Sequence, residues 1–141
     1  MPDRTARLLG FAGLIPFIAL AAWIVLAPSA RPTALPLLAG YAAVIASFLG
    51  GIHWGLVMRG AAPSTPLLAW GVMPSLLAWP ALLLPPHLGL TALAGVLMLC
   101  LAADLQIYRA MQLAPWLALR WPLTLIAAMS LLAAAAAAWP R

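Results

Sequence analysis

Residues 88–107 read LGLTALAGVLMLCLAADLQI, an apolar run that contains a single charged residue, Asp104. A helix needs about 20 predominantly apolar residues to cross a hydrocarbon core about 30 Å thick. This run therefore predicts a transmembrane helix, and it sets the pattern by which others in the chain can be recognised.

Four more apolar runs of similar length occur, separated by prolines, arginines and short polar stretches. The five predicted spans cover residues 8–27, 34–58, 66–84, 88–107 and 121–139. Because the loops between them are short, we expect neighbouring helices to pack antiparallel in one all-α domain over residues 1–141.

The first run has an alternative interpretation as a cleavable signal peptide, since Arg4 and Arg7 precede it. Apolar cores of signal peptides usually extend over only about 7 to 15 residues. The greater length of residues 8–27 favours a retained helix.

Composition supports a membrane protein, because 67% of the residues are hydrophobic and 6% are charged. An ordinary soluble domain is about half apolar and roughly a quarter charged. The seven basic residues are all arginines and are spread along the chain, so they do not form the stripe that nucleic acid would require. We expect the lipid bilayer, other membrane subunits or a second copy as partners.

The distribution of arginines predicts the orientation, since cytoplasmic loops retain Arg and Lys. With five spans, one side would carry five arginines and the other would carry two. We therefore predict a cytoplasmic N-terminus and an external C-terminus in a bacterial inner membrane. The two groups are Arg4, Arg7, Arg59, Arg109 and Arg120 on the first side and Arg31 and Arg141 on the second.

The second predicted helix carries small residues at four-residue spacing, which would let another helix approach closely. These residues are Ala43, Ser47, Gly51 and Gly55. An alternative use of the glycines is to leave space for a flat ligand.

His53 lies in the same helix, roughly opposite the Gly51/Gly55 face. Ionisable side chains within the membrane are costly and usually face the bundle interior, so each suggests a functional site. Three interpretations stay open for His53: a neutral hydrogen-bonding group, a proton carrier, or an axial ligand of haem or a chlorophyll-type pigment.

Asp104 is the only acidic residue within the predicted spans. It falls toward the cytoplasmic end of its span, as His53 does. Cys100 and Tyr108 lie one turn on either side of it, and Arg59 and Arg109 are near enough in depth to neutralise it. We hypothesise a His53–Asp104 contact between the second and fourth spans, with an anchoring ion pair at the interface as the alternative. Cys100, the only cysteine, is expected to be a buried apolar residue.

Pro74 interrupts the third span and removes the hydrogen bond to the carbonyl of Trp70, which predicts a kink. His53 is predicted near the cytoplasmic surface of the membrane and His87 near the external surface. The length of a helix therefore separates them, and they are not expected to share a metal ion. No phosphate loop, carboxylate pair or nucleophile with a base partner is evident, which argues against an enzyme.

Three stretches resemble a known family: Leu14–Phe17, Ser47–Gly55 and Met73–Trp79. They are similar to the bacterial domain of unknown function 3429, a family that looks related to the eukaryotic transmembrane protein 69. The resemblance covers about Leu8 to Leu132 and implies a small multi-span membrane protein without an established activity.

Two functions are compatible with these features. The first is a non-enzymatic accessory or assembly subunit that packs against a membrane complex. The second is a binding or transport protein for a small apolar or planar molecule, such as a porphyrin, pigment, quinone or lipid. Its candidate site residues are His53, Trp54, Pro74, Asp104 and Tyr108.

Overall fold

The computed structural model describes residues 2–60 and 64–140, and none of these residues forms a β-strand. The expectation of an all-α helix bundle is confirmed. The helices are α1 (Arg4–Ala12), α2 (Ile15–Leu26), α3 (Arg31–Met58), α4 (Ser64–Ala81), α5 (Pro86–Ala110) and α6 (Leu117–Ala137). Short 3-10 turns at Pro28–Ala30 and Ala114–Trp116 precede α3 and α6.

Four helical segments of the described chain are long and apolar enough to cross a membrane. They are Arg4–Leu26, Pro28–Met58, Pro86–Ala110 and Ala114–Ala137. Helix α4, the third predicted span, is shorter and contains three prolines and two tryptophans, which lower its hydropathy. The crossing of the membrane by α4 and the sidedness of the termini therefore stay predictions.

The helices form a ring in which each pass contacts the next, and α2 closes the ring against α6. Helices α3 and α5 also contact each other across the middle. Their buried side chains, including those of Leu38, Leu93 and Leu97, form a single apolar core. Any polar residue on the inward faces of α3 and α5 consequently lies in the interior.

The first predicted span is divided into α1 and α2 by a turn at Gly13 and Leu14. Pro16 has no backbone N–H, so it cannot continue the helical hydrogen-bond pattern at this point. The hydroxyl of Tyr41, on α3, donates a 2.8 Å hydrogen bond to the Gly13 carbonyl. The break is thus stabilised from the neighbouring helix.

The loop between the last two spans is shorter than expected from the sequence. Residues 108–120 were expected to be a loop, but α5 continues to Ala110 and α6 begins at Leu117. The short helical turn Ala114–Trp116 leads directly into α6 and starts it four residues before the predicted boundary. As a result, Arg120 belongs to the first turn of a transmembrane helix.

Helices α3 and α4 approach each other closely at Gly50 and Gly71. A Cβ atom on Gly50 would overlap the Gly71 carbonyl oxygen, and a Cβ atom on Gly71 would lie 3.0 Å from the Gly50 carbonyl oxygen. The indole of Trp54 covers Gly71 and donates a 3.1 Å hydrogen bond to the Leu68 carbonyl. Glycine at both positions is therefore a steric requirement.

The predicted small-residue face of α3 does not form the close contact between α3 and α4. Ser47 accepts a 3.0 Å hydrogen bond from Ser75 of α4. Gly51 and Gly55 are exposed, and a Cβ atom at either position would meet no atom within 4 Å. Close helix packing inside the chain thus uses Gly50, whereas packing at Gly51 and Gly55 against another protein stays a prediction.

Candidate functional site

His53 of α3 and Asp104 of α5 meet in the interior of the bundle. Nε2 of His53 lies 3.1 Å from Oδ1 of Asp104, and the two side chains are only 2% and 1% exposed. They face each other because α3 and α5 cross in the middle of the ring. The hypothesised pair is therefore brought together.

Arg120 of α6, whose side chain is 11% exposed, completes a triad with these two buried residues. Its Nε and Nη2 atoms donate hydrogen bonds of 3.0 Å and 2.5 Å to Oδ2 of Asp104. A guanidinium is always charged and matches a carboxylate in shape, so this is a favourable partner for a buried acid. Asp104 consequently bridges Arg120 on one oxygen and His53 on the other.

The expectation that Arg59 or Arg109 neutralises Asp104 is wrong for this structure. Both arginines are exposed, near the ends of α3 and α5. Arg120 takes their place because α6 begins earlier than predicted and directs its first turn toward α5.

Cys100 lies one helical turn before Asp104 in α5 and Tyr108 one turn after it, and both are buried. The phenol of Tyr108 lies beside Asp104 and Arg120. Cys100 is a free thiol, and it is part of the apolar core. The interpretation of Cys100 as a buried apolar residue is confirmed.

Several polar atoms of the triad have no hydrogen-bond partner within the described residues. These atoms are Nδ1 and Nε2 of His53 and Oδ1 of Asp104. The Nε2–Oδ1 separation is short enough for an ionic contact, but the N–H direction does not meet hydrogen-bond geometry. A buried polar group without a partner is costly, so these atoms mark a position that is either strained for function or completed by another group.

A cavity of about 610 Å³ lies beside the triad. Its wall is almost entirely apolar, and the lining side chains that carry polar groups among the described residues are those of Tyr108, Trp116, Arg120 and Thr124. Leu9 and Phe48 line it as well and are exposed on the outside of the bundle, so the cavity communicates with the surface that lipid would cover.

The length of the cavity along the helix axis is given by the α3 residues that line it. These extend from Leu56 to Ile45, and at 1.5 Å per residue they span roughly 16 Å along the helix axis. That length is about half of a hydrocarbon core of about 30 Å. Arg120 and Tyr108 belong to the end nearer the α5–α6 turn, so the polar groups occupy one end of an apolar cavity.

The remaining predicted site residues lie elsewhere. Trp54 and Pro74 are at the α3–α4 crossing, where Pro74 is buried next to Gly50. Neither residue lines the cavity. Of the candidate set, the structure brings together His53, Asp104 and Tyr108.

The environment of His53 bears on its three interpretations. The ring is enclosed and does not line the cavity, and Asp104 lies next to Nε2. An axial ligand needs open space along the lone pair of its nitrogen. The geometry thus favours the hydrogen-bonding and proton-carrying interpretations over a pigment ligand.

Comparison with known proteins identifies the family. Residues 2–136 match the family model described as a protein of unknown function, DUF3429. The chain belongs to this family. The resemblance seen in the sequence is thereby confirmed.

Curated relatives of the chain include transmembrane protein 69 from two vertebrates. The Xenopus tropicalis protein is 33% identical over 132 residues, which cover 91% of this chain and 52% of the relative. The Mus musculus protein is 31% identical over 131 residues, which cover 90% of this chain and 54% of the relative. The chain thus spans about half the length of these relatives, and no solved structure matches it.

Proposed function

We propose that this protein binds a small, mainly apolar amphiphile taken from the surrounding bilayer. The observation that supports the proposal is the cavity of about 610 Å³, whose only charged lining residue among those described is Arg120. Ligand sites are typically concave and apolar with a few placed polar groups, and this cavity has that character.

The arrangement of the triad explains how an arginine is held at an apolar wall. Asp104 accepts hydrogen bonds from Nε and Nη2 of Arg120, so it holds the guanidinium in place and balances its charge. Arg120 and Tyr108 both line the cavity, and the Tyr108 phenol lies beside the guanidinium. A polar head group would bind there, with its apolar part along Leu49 and Ile52 of α3.

The proposal is tested by gentle purification followed by mass spectrometry of the molecules that co-purify, together with an absorbance spectrum. Ile52 lines the cavity, so Ile52→Trp would fill part of it. Ile18→Trp is the matched control, because Ile18 is an exposed residue of α2 that lines a separate, more open groove and not this cavity.

We expect a defined amphiphile in wild-type and Ile18→Trp preparations and its loss from Ile52→Trp. Addition of the extracted molecule should raise the melting temperature of the first two proteins only. An equal, unselective lipid content in all three preparations would contradict the proposal.

The exposed glycines of α3 favour a second candidate function, packing against a partner subunit. Gly51 and Gly55 leave a smooth strip on the outer face, which another transmembrane helix could contact closely. In-membrane crosslinking from Gly51→Cys would capture a single partner if this function is correct. Crosslinking to lipid alone would count against it.

Both candidate functions place the protein in a membrane as a multi-pass protein. We further propose a bacterial inner membrane with the N-terminus in the cytoplasm, because arginines are more frequent on that side of the five-span topology.

A further inference from the structure

We infer that the cavity takes an amphiphile with an anionic head group, and that His53 takes up one proton when this anion binds. The inference rests on the proposed binding function and adds the charge class of the ligand and a coupled proton. It is carried by the contact of one buried carboxylate with two different groups, Arg120 at the cavity wall and His53 behind it.

The anionic head group follows from the charge that lines the cavity. Among the described residues that line the cavity, Arg120 is the one with a charged side chain, and the other polar groups belong to Tyr108, Trp116 and Thr124. A guanidinium binds carboxylate, sulfonate or phosphate oxygens with charge-assisted hydrogen bonds. A purely apolar ligand would gain nothing from an arginine in the cavity wall.

The proton follows from charge balance. Arg120 and Asp104 together are neutral, so an added anion leaves a net negative charge in an interior of low dielectric constant. Such a charge is expensive unless a nearby group compensates for it. A proton taken from bulk water onto the ring nitrogen of His53 that lacks one restores neutrality, and no bond in the ligand changes.

His53 is the group placed to take this proton. Neither ring nitrogen has a hydrogen-bond partner among the described residues, and Nε2 lies 3.1 Å from Oδ1 of Asp104, so a positive imidazolium would gain an ion pair. Helices α2 and α4, which pack on α3, contain no ionisable residue. The ionisable groups on the facing helices are Cys100, Asp104 and Tyr108, which are buried on α5, and Arg120 of α6; α5 also carries His87 and Arg109 at its two ends, and neither of these is buried.

The two ligand classes can be separated with simple probes. Decanesulfonate keeps its negative charge at all accessible pH values, so any proton taken up belongs to the protein. Decan-1-ol is its neutral counterpart of the same chain length. Isothermal titration calorimetry in phosphatidylcholine nanodiscs, repeated in two buffers of different ionisation enthalpy, measures both binding and proton uptake. The cavity-filled Ile52→Trp protein gives the signal from bilayer partitioning alone.

We expect decanesulfonate to bind wild-type protein with uptake of up to one proton. Its affinity should rise as the pH falls, by at most about tenfold per pH unit, which is the limit for one linked proton. Decan-1-ol should bind more weakly and without a proton. The variant His53→Gln should lose the proton uptake and the pH dependence, whereas His87→Gln, which alters the other histidine at the far end of α5, should keep both.

The outcomes distinguish the inference from the function on which it rests. If decanesulfonate binds to wild-type protein with no proton uptake at any pH, or if decan-1-ol binds equally well, the inference is wrong and the binding function stands. If neither probe binds above the Ile52→Trp signal, the binding function fails and the inference fails with it. The measurements on wild-type and Ile52→Trp protein decide both points even if His53→Gln does not fold.

Discussion

Arg120 donates two hydrogen bonds to one oxygen of Asp104, Oδ2, while the other oxygen of that carboxylate lies 3.1 Å from His53. The three residues belong to α6, α5 and α3, so a single carboxylate connects three of the helices. A buried ion pair of this kind contributes little net stability compared with apolar residues, but leaving one partner unpaired is costly.

The Asp104–Arg120 pair should therefore show strong coupling. Arg120→Leu and Asp104→Leu should each lower the free energy of unfolding by about 3 to 5 kcal/mol, since each leaves a buried charge without its partner. The double Leu variant should recover much of this loss. Unfolding in mixed detergent and denaturing surfactant measures these values, and Arg109→Leu at an exposed position is the control. Additive losses would argue against the pair.

The His53–Asp104 contact is tested by a second double-mutant cycle. Residues in contact usually show an interaction energy of about 0.5 to 3 kcal/mol, whereas distant residues are additive to within about 0.5 kcal/mol. We expect coupling between His53→Ala and Asp104→Ala, and additivity between His87→Ala and Asp104→Ala. The His53 cycle fails if its two single effects simply sum.

Neighbouring glycines of α3 should respond differently to the same substitution. Gly50→Ala places a methyl group against the Gly71 carbonyl and should destabilise the protein by about 1 to 3 kcal/mol, as overpacking does. Gly51→Ala meets open space and should be neutral or stabilising by about 0.5 to 1 kcal/mol through helix propensity. Equal effects at the two positions would contradict the α3–α4 geometry.

The hydrogen bond from Tyr41 to Gly13 should hold the break between α1 and α2. Tyr41→Phe removes the 2.8 Å hydrogen bond and leaves the Gly13 carbonyl partly buried without this donor, at a cost of about 1 to 3 kcal/mol. Hydrogen exchange should become faster for the amides around residues 9–18. Ser130→Ala, which removes a hydroxyl bonded only within α6, is the comparison. Unchanged exchange would show that the break does not depend on Tyr41.

The five-span topology predicts opposite sides for the loops that flank α4. In a Cys100→Ala background, Arg59→Cys should react with an impermeant thiol reagent from the cytoplasmic side, and Leu83→Cys should react from the external side. Both positions are exposed in the structure. Labelling of both from the same side would mean that α4 does not cross the membrane.

The helical architecture can be predicted from the sequence because lipid offers no hydrogen-bond partners to the backbone. A segment of about 20 apolar residues in a bilayer must satisfy its backbone groups internally, and a helix does so. The lengths of the apolar runs therefore predict helices, and the rarity of ionisable residues within them draws attention to His53 and Asp104.

Contacts between helices depend on how each helix is rotated about its axis. Lipid and protein interior are both apolar, so hydropathy does not distinguish the two sides of a helix. One residue corresponds to a rotation of about 100°, which is why the close contact falls on Gly50 and not on Gly51. Arg120 contacts Asp104 because the short turn before α6 starts the helix early enough to include Arg120, a boundary that the apolar pattern did not predict. The cavity likewise exists only where side chains from several helices leave a space between them.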